Sequence, residues 1–279
     1  MDWLYLLQTV VLGIVEGLTE FLPISSTGHL IIASDLVNFA DAPGADTFVV
    51  AIQAGAILAV CWYYRERIVR ILRGLFSDPV EQRLAVNTIV GFLPAALVGV
   101  LVAGAIKTYL FNPVTVAAAL VVGGLIILWV EKREAAKGRA PRVLTMDDMT
   151  WKDALLVGIM QCFAMIPGTS RSGATIIGGL FLGLSRKAAT EFSFFLSIPT
   201  IFGATVYDLY KARDMLAAAN LEGLVVGTVV SFLSALFVVR WLLRYVSTND
   251  FKAFGWYRIV FGILILVLGA TGAVEWRDI

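Results

Sequence analysis

From Leu84 to Ile106, and again from Val114 to Val130, the chain carries no charged side chain. As α-helices these runs are long enough to cross ~30 Å of hydrocarbon. A bilayer core offers no water to backbone N–H and C=O groups, so only helices and closed β-barrels span it. Barrel strands alternate apolar and polar positions, and these unbroken apolar runs do not. Charged residues make up 15% of the 279, well below the share of about 25% usual in a soluble domain. The expectation is therefore an all-α polytopic membrane protein, a single integral domain over residues 1–279 with no soluble domain beside it.

Six full spans are predicted, near 48–64, 84–106, 113–130, 192–210, 222–245 and 256–274. Two further regions, 1–46 and 153–190, are apolar but interrupted by polar and Gly/Pro motifs, and each reads as two short helices around a break. The N-terminal stretch lacks a basic leader and a small-residue cleavage site, and reads as mature structure. Cys61 and Cys162 lie in apolar segments without metal-type spacing, and read as buried reduced thiols. A net charge of +1 gives no ground for a nucleic-acid partner.

Orientation follows from Lys and Arg. None occurs before Arg65; Arg65, Arg67, Arg70, Arg73 and Arg83 then follow, with Lys132 to Lys152, Arg186–Lys187 and Arg240–Lys252 as later clusters. Placing these in the cytoplasm lets every full span alternate if each broken region enters and leaves on one side, as a re-entrant pair. Both termini are then outside, as are Lys211 and Arg213, partly offset by Asp208 and Asp214.

The halves resemble each other. "GIVEGLTEFLPISSTGH" (Gly13–His29) aligns with "GIMQCFAMIPGTSRSGA" (Gly158–Ala174), and "GFLPAAL" (Gly91–Leu97) with "SFLSALF" (Ser231–Phe237). Pro23 precedes Phe48 by the same interval that separates Pro167 from Phe192. With the charge pattern, this predicts an inverted-topology repeat of about 1–131 and 152–275, in which broken helices meet near the midplane and build a site.

The polar residues in the breaks are the candidates for that site. Glu16 and Glu20 share a helix face at i, i+4. Acids at bilayer depth are costly and usually face a cavity, a partner or a metal, so the pair suits a hard cation such as Mg²⁺ or Ca²⁺ or coupled acid/base work. The plainer alternative is a position near the outer interface. After Pro23 come Ser25, Ser26, Thr27 and Gly28, a turn of which capping would use one hydroxyl. His29, the single histidine, suits proton transfer or nucleophile activation. In the second half, Arg171 stands between Ser170 and Ser172; its planar fork suits phosphate, although a snorkelling side chain is the alternative. Gln53 and Glu191 are further buried polar candidates, equally explained by helix–helix contacts. Brought together, the halves would suit phosphoryl transfer. Inverted repeats with broken helices are also a transporter signature, but hydroxyls, histidine and arginine together exceed what binding alone requires.

"EGLTEFLPISSTGH" (Glu16–His29) and "PGTSRSGAT" (Pro167–Thr175) resemble the two signature motifs of the bacterial undecaprenyl-diphosphatases of the bacitracin-resistance type. The resemblance extends through "IQAGAILAV" (Ile52–Val60) and "EFSFFLSIPT" (Glu191–Thr200), essentially the whole chain. It implies hydrolysis of a polyprenyl diphosphate, the C55 lipid diphosphate, to the monophosphate that carries cell-wall precursors, in the bacterial inner membrane; the outward position of the first motif under the charge rule has the site open outward. Carried over by position, it implies Ser26 as nucleophile, with His29 or water as alternatives. It implies Glu16 and Glu20 as divalent-cation or acid/base groups, and His29 in proton transfer. Arg171 would bind phosphate, with Ser25, Thr27, Ser170 and Ser172 lining the site. A homodimer and a second role in flipping the product are left open. The type-2 phosphatidic acid phosphatases, which need two histidines, are excluded.

Overall fold

A computed structural model describes residues 3–39, 44–138, 140–211 and 221–271. Eleven α-helices are found among them: α1 (Trp3–Thr19), α2 (Ser26–Leu36), α3 (Ala45–Tyr63), α4 (Arg65–Gly74), α5 (Pro79–Tyr109), α6 (Pro113–Ala136), α7 (Trp151–Cys162), α8 (Arg171–Phe181), α9 (Arg186–Lys211), α10 (Leu221–Thr248) and α11 (Lys252–Thr271). Helices α5, α6, α9, α10 and α11 are each long and apolar enough to cross a bilayer, and the chain is a multi-pass membrane protein. The sixth expected span, α3, meets that standard only together with α4, from which it is bent by 72°. The expected breaks fall between α1 and α2 and between α7 and α8. Arg213 and Asp214, and the side chain of Lys211, lie outside the described residues.

Local chemistry sets several boundaries. Asp78 and Asn112 stand before α5 and α6 and accept from the backbone N–H groups of Val80 and Thr115, each with proline as the first helical residue, where its missing N–H costs nothing. Thr150 and Asp153 form a reciprocal capping box at the start of α7. The basic cluster that begins at Arg65 is carried largely by the amphipathic helix α4. Its Ile68 and Ile71 pack on the core, while Arg65, Arg70 and Arg73 stay outside, an arrangement suited to a membrane surface.

The basic clusters are tied to acids contributed by distant segments. Arg67 pairs with Glu81 at 3.3 Å and with Asp147. Arg186 pairs with Glu131, whose Oε1 also accepts the N–H of Phe251 at 2.8 Å. Arg142 pairs with Asp153.

The halves are interleaved rather than side by side. Helix α1 packs on α10 of the second half, and α7 packs on α5 of the first; α3 against α10 is answered by α9 against α5. Helix α3 also meets α9, and α6 meets α11. Small residues permit these approaches, the means by which helices associate in lipid. A Cβ on Gly17 would stand 2.4 Å from the carbonyl oxygen of Ser231, and one on Gly158 would stand 2.2 Å from that of Gly91. The motif "GFLPAAL" and its counterpart "SFLSALF" are therefore the seats of α7 and α1. Pressing the broken helices into the bundle brings their turns to one place.

Candidate active site

Each turn ends in a serine with a left-handed backbone: Ser25 at φ 71°, ψ 98°, directly before α2, and Ser170 at φ 73°, ψ 121°, directly before α8. Such a conformation costs a residue with a Cβ about 1–3 kcal/mol and persists where its surroundings impose it. The register that sets Ser25 opposite Ser170 also sets Ser26 opposite Arg171 and Glu16 opposite Gln161. The two serines differ in one respect. Ser170 Oγ accepts from the N–H of Gly173 at 3.0 Å and caps α8, whereas Ser25 makes no side-chain cap on α2. The N-terminus of α2, a favourable place for an anion, therefore has no side-chain cap.

The turns enclose a cavity of about 300 Å³. Glu20, Ser25, Ser26, Thr27 and Gln53 line it from the first half, and Ser170, Arg171 and Thr200 from the second. Inside it, Ser26 Oγ donates to Glu20 Oε2 at 2.6 Å, and Arg171 Nη2 donates to Glu20 Oε1 at 3.0 Å. The other guanidinium nitrogen, Nη1, reaches the carbonyl oxygen of Ser193 at 3.1 Å and its hydroxyl at 3.4 Å. The face of Phe21, 5.6 Å from the guanidinium carbon, completes the seat of Arg171. Arg171 therefore does not snorkel; it is buried against an acid of the other half. A hydroxyl, a carboxylate that can take its proton, and a cation in one chain are the parts of an activated nucleophile with a phosphate clamp.

The remaining expected residues take other places. Glu16 is fully buried one helical turn before Glu20, and neither carboxylate oxygen has a hydrogen-bond partner. Ser172, also fully buried, donates to the carbonyl oxygen of Leu22 at 2.7 Å and so ties one turn to the other. His29 does not line the cavity: Nδ1 is 2.7 Å from the carbonyl oxygen of Ser25, and Nε2 is 2.6 Å from the Tyr257 hydroxyl. Its ring stacks on Phe261 at 4.1 Å between centroids. In this geometry the histidine holds the Ser25 turn. Glu191 lies elsewhere, among Tyr64, Lys187 and Arg67.

The sequence reading missed Ser193, Thr200 and Tyr257, and above all Arg258. Arg258 is 1% exposed and hydrogen-bonds to backbone carbonyls of both turns. The available signal was a basic residue inside the apolar span 256–274.

Two carboxylates on one face, one of them with both oxygens unpartnered, are a donor set that a hard divalent cation accepts. Among the described residues no third acid, histidine or cysteine joins them. Such a cation would therefore need phosphate oxygens and water as its other ligands, the usual habit of Mg²⁺.

Comparison with known proteins agrees with this chemistry. Residues 9–264 match the family model described as bacitracin resistance protein BacA. The chain is similar to an undecaprenyl-diphosphatase of Cupriavidus metallidurans, 56% identical over 99% of this chain and all of the relative. It is likewise similar to undecaprenyl-diphosphatase 2 of Rhodospirillum rubrum and an undecaprenyl-diphosphatase of Dechloromonas aromatica, each 58% identical over 99% of both chains.

Proposed function

The chain belongs to the bacitracin resistance protein BacA family, and from this we propose that its two-sided cavity is the active site of an undecaprenyl-diphosphatase. The enzyme hydrolyses undecaprenyl diphosphate to undecaprenyl phosphate and inorganic phosphate, recycling the lipid carrier. The observation that carries the site is the chain Ser26–Glu20–Arg171, contributed by both halves.

Ser26 Oγ attacks the terminal phosphorus, and its proton passes to Glu20 Oε2, to which it already donates. The bond from that phosphorus to the bridging oxygen breaks, and undecaprenyl phosphate leaves. Glu20 gives that proton to the departing phosphate oxygen. Water, losing a proton to the freed carboxylate, then attacks the phosphoserine. Glu20 returns the proton to Ser26 Oγ as its bond to phosphorus breaks and inorganic phosphate leaves. Protonating Glu20 removes the negative charge that holds Arg171, so the guanidinium becomes free for phosphate oxygens as the hydroxyl becomes a nucleophile. The uncapped N-terminus of α2 adds backbone N–H groups to the same anion. Ser25, Thr27 and Gln53 offer further polar contacts along the wall. A bound Mg²⁺ or Ca²⁺, held by Glu16 and Glu20, would neutralise diphosphate charge. His29 acts through the Ser25 turn.

We also read the halves as inverted repeats, supported by the exchanged packing of α1 and α7 and by the matched conformations of Ser25 and Ser170. The enzyme is assigned to the bacterial inner membrane with the cavity opening outward. The absence of Lys and Arg before Arg65 supports that orientation.

Purified protein in proteoliposomes, given undecaprenyl diphosphate, tests the reading. Release of phosphate by the natural chain, with background release by Ser26→Ala and Arg171→Ala, is the expected result. No release by the natural chain would overturn the activity, and full release by Ser26→Ala would overturn the nucleophile.

A further inference from the structure

We infer that Arg258, outside both signature motifs, is a positioning residue that fixes the spacing between the two halves of the active site. A guanidinium has five N–H donors, and here each meets a backbone carbonyl. Nη1 reaches Pro23 at 3.1 Å and Thr169 at 2.8 Å; Nη2 reaches Gly168 at 3.0 Å and Ala119 at 3.0 Å; Nε reaches Leu120 at 3.3 Å. Pro23 belongs to the turn that carries Ser26, Gly168 and Thr169 to the turn that carries Arg171, and Ala119 and Leu120 to α6. One side chain from α11 thus binds both turns to a long helix.

No carboxylate pairs with this cation among the described residues. A buried charge without a counter-ion is expensive and is retained where it has work to do. Carbonyl dipoles alone offset it, and every one of them belongs to a backbone whose position matters to the site or to its support. The surroundings are cut to admit it: a Cβ on Gly123 would stand 2.2 Å from Nη2. Arg258 does not line the polar cavity, so it acts through the turns and not on substrate. Lysine cannot replace it, because three donors on one nitrogen cannot reach five carbonyls arranged around a planar fork.

This inference rests on the phosphatase reading, and the experiment separates the two. Arg258→Lys keeps the charge and removes the fork; Gly123→Ala keeps Arg258 and displaces it. Each is assayed with undecaprenyl diphosphate beside the natural chain, with thermal unfolding measured in the same detergent. In protein folded at the assay temperature, kcat should fall about 10²-fold in Arg258→Lys, the loss expected of a misplacement near 1 Å. KM should stay within about threefold, and Gly123→Ala should show the same split. An unchanged kcat in either folded variant, or a raised KM with unchanged kcat, would overturn the positioning role. Absence of turnover in the natural chain would instead overturn the phosphatase reading. Should Arg258→Lys not fold, Gly123→Ala decides alone.

Discussion

Glu20 and Arg171 stand 151 positions apart in the chain and meet at 3.0 Å, each about nine-tenths buried. Neither half of the protein can neutralise its own charge at this place. The pair joins the two halves and, in the mechanism proposed above, holds the groups assigned to catalysis. This double role separates stability from activity. Removing one partner of a buried pair typically costs about 3–5 kcal/mol, because the other is left uncompensated. Arg171→Ala should lower the unfolding temperature, and Glu20→Ala combined with Arg171→Ala should recover much of it. Phosphate release should stay at background in both. Thermal unfolding and turnover measured on the same preparations check this.

Glu20→Gln retains size and one hydrogen bond but cannot accept the Ser26 proton. Turnover should drop by about 10²–10⁴-fold, the usual share of general-base catalysis. Ser26→Ala should be lower still. A Glu20→Gln variant at natural rates would show that the proton goes elsewhere.

Chelation of divalent cations should suppress phosphate release reversibly. If Glu16 contributes its unpartnered oxygens to the cation, Glu16→Gln should raise the Mg²⁺ or Ca²⁺ concentration needed for half-maximal turnover. An unchanged cation titration curve in that variant would remove Glu16 from the ligand set.

His29 and Tyr257 are 2.6 Å apart at Nε2 and the hydroxyl, away from the cavity wall. Tyr257→Phe should cost activity only while His29 is present. A double-mutant cycle with His29→Ala should therefore show a coupling of about 0.5–3 kcal/mol in kcat/KM. Additive losses would mean that the histidine acts independently of the tyrosine.

Gly158→Ala places a methyl where 2.2 Å separates it from the Gly91 carbonyl oxygen. Overpacking of this kind costs about 1–3 kcal/mol, and the unfolding temperature should fall. Gly104→Ala, with nothing within 4 Å of the added carbon, should leave it unchanged.

The spans and the two breaks were legible because lipid imposes one rule on long stretches of chain, and apolar length reports it directly. The meeting of Glu20 and Arg171 was legible for a related reason: acids, hydroxyls and an arginine at bilayer depth need each other, and the two similar motifs are where they stand. Helix α4 was hidden because its arginines resemble a loop when counted by charge, while Ile68 and Ile71 reveal their face only once α3 is seen to bend. Arg258 was hidden more deeply. Its partners are backbone carbonyls, which every residue possesses, so no pattern of residue types points to them. For His29, residue type suggested chemistry; whether its ring faces the cavity or Tyr257 depends on α11, more than two hundred positions away.

The interleaving of the helices has a consequence for how such a protein is made. Helix α1, with Glu16 on it and Glu20 just after it, is made before the other described helices, and its main packing partner, α10, begins only at Leu221. During synthesis the acids must therefore wait in the membrane for most of the chain without their seat on α10. Arg171, the cation that answers Glu20, also comes late. A nascent chain stopped before Arg171 would hold Glu20 without its cation and the cavity without its second wall. The two-sided cavity can therefore assemble only after residues from both ends of the sequence have entered the membrane.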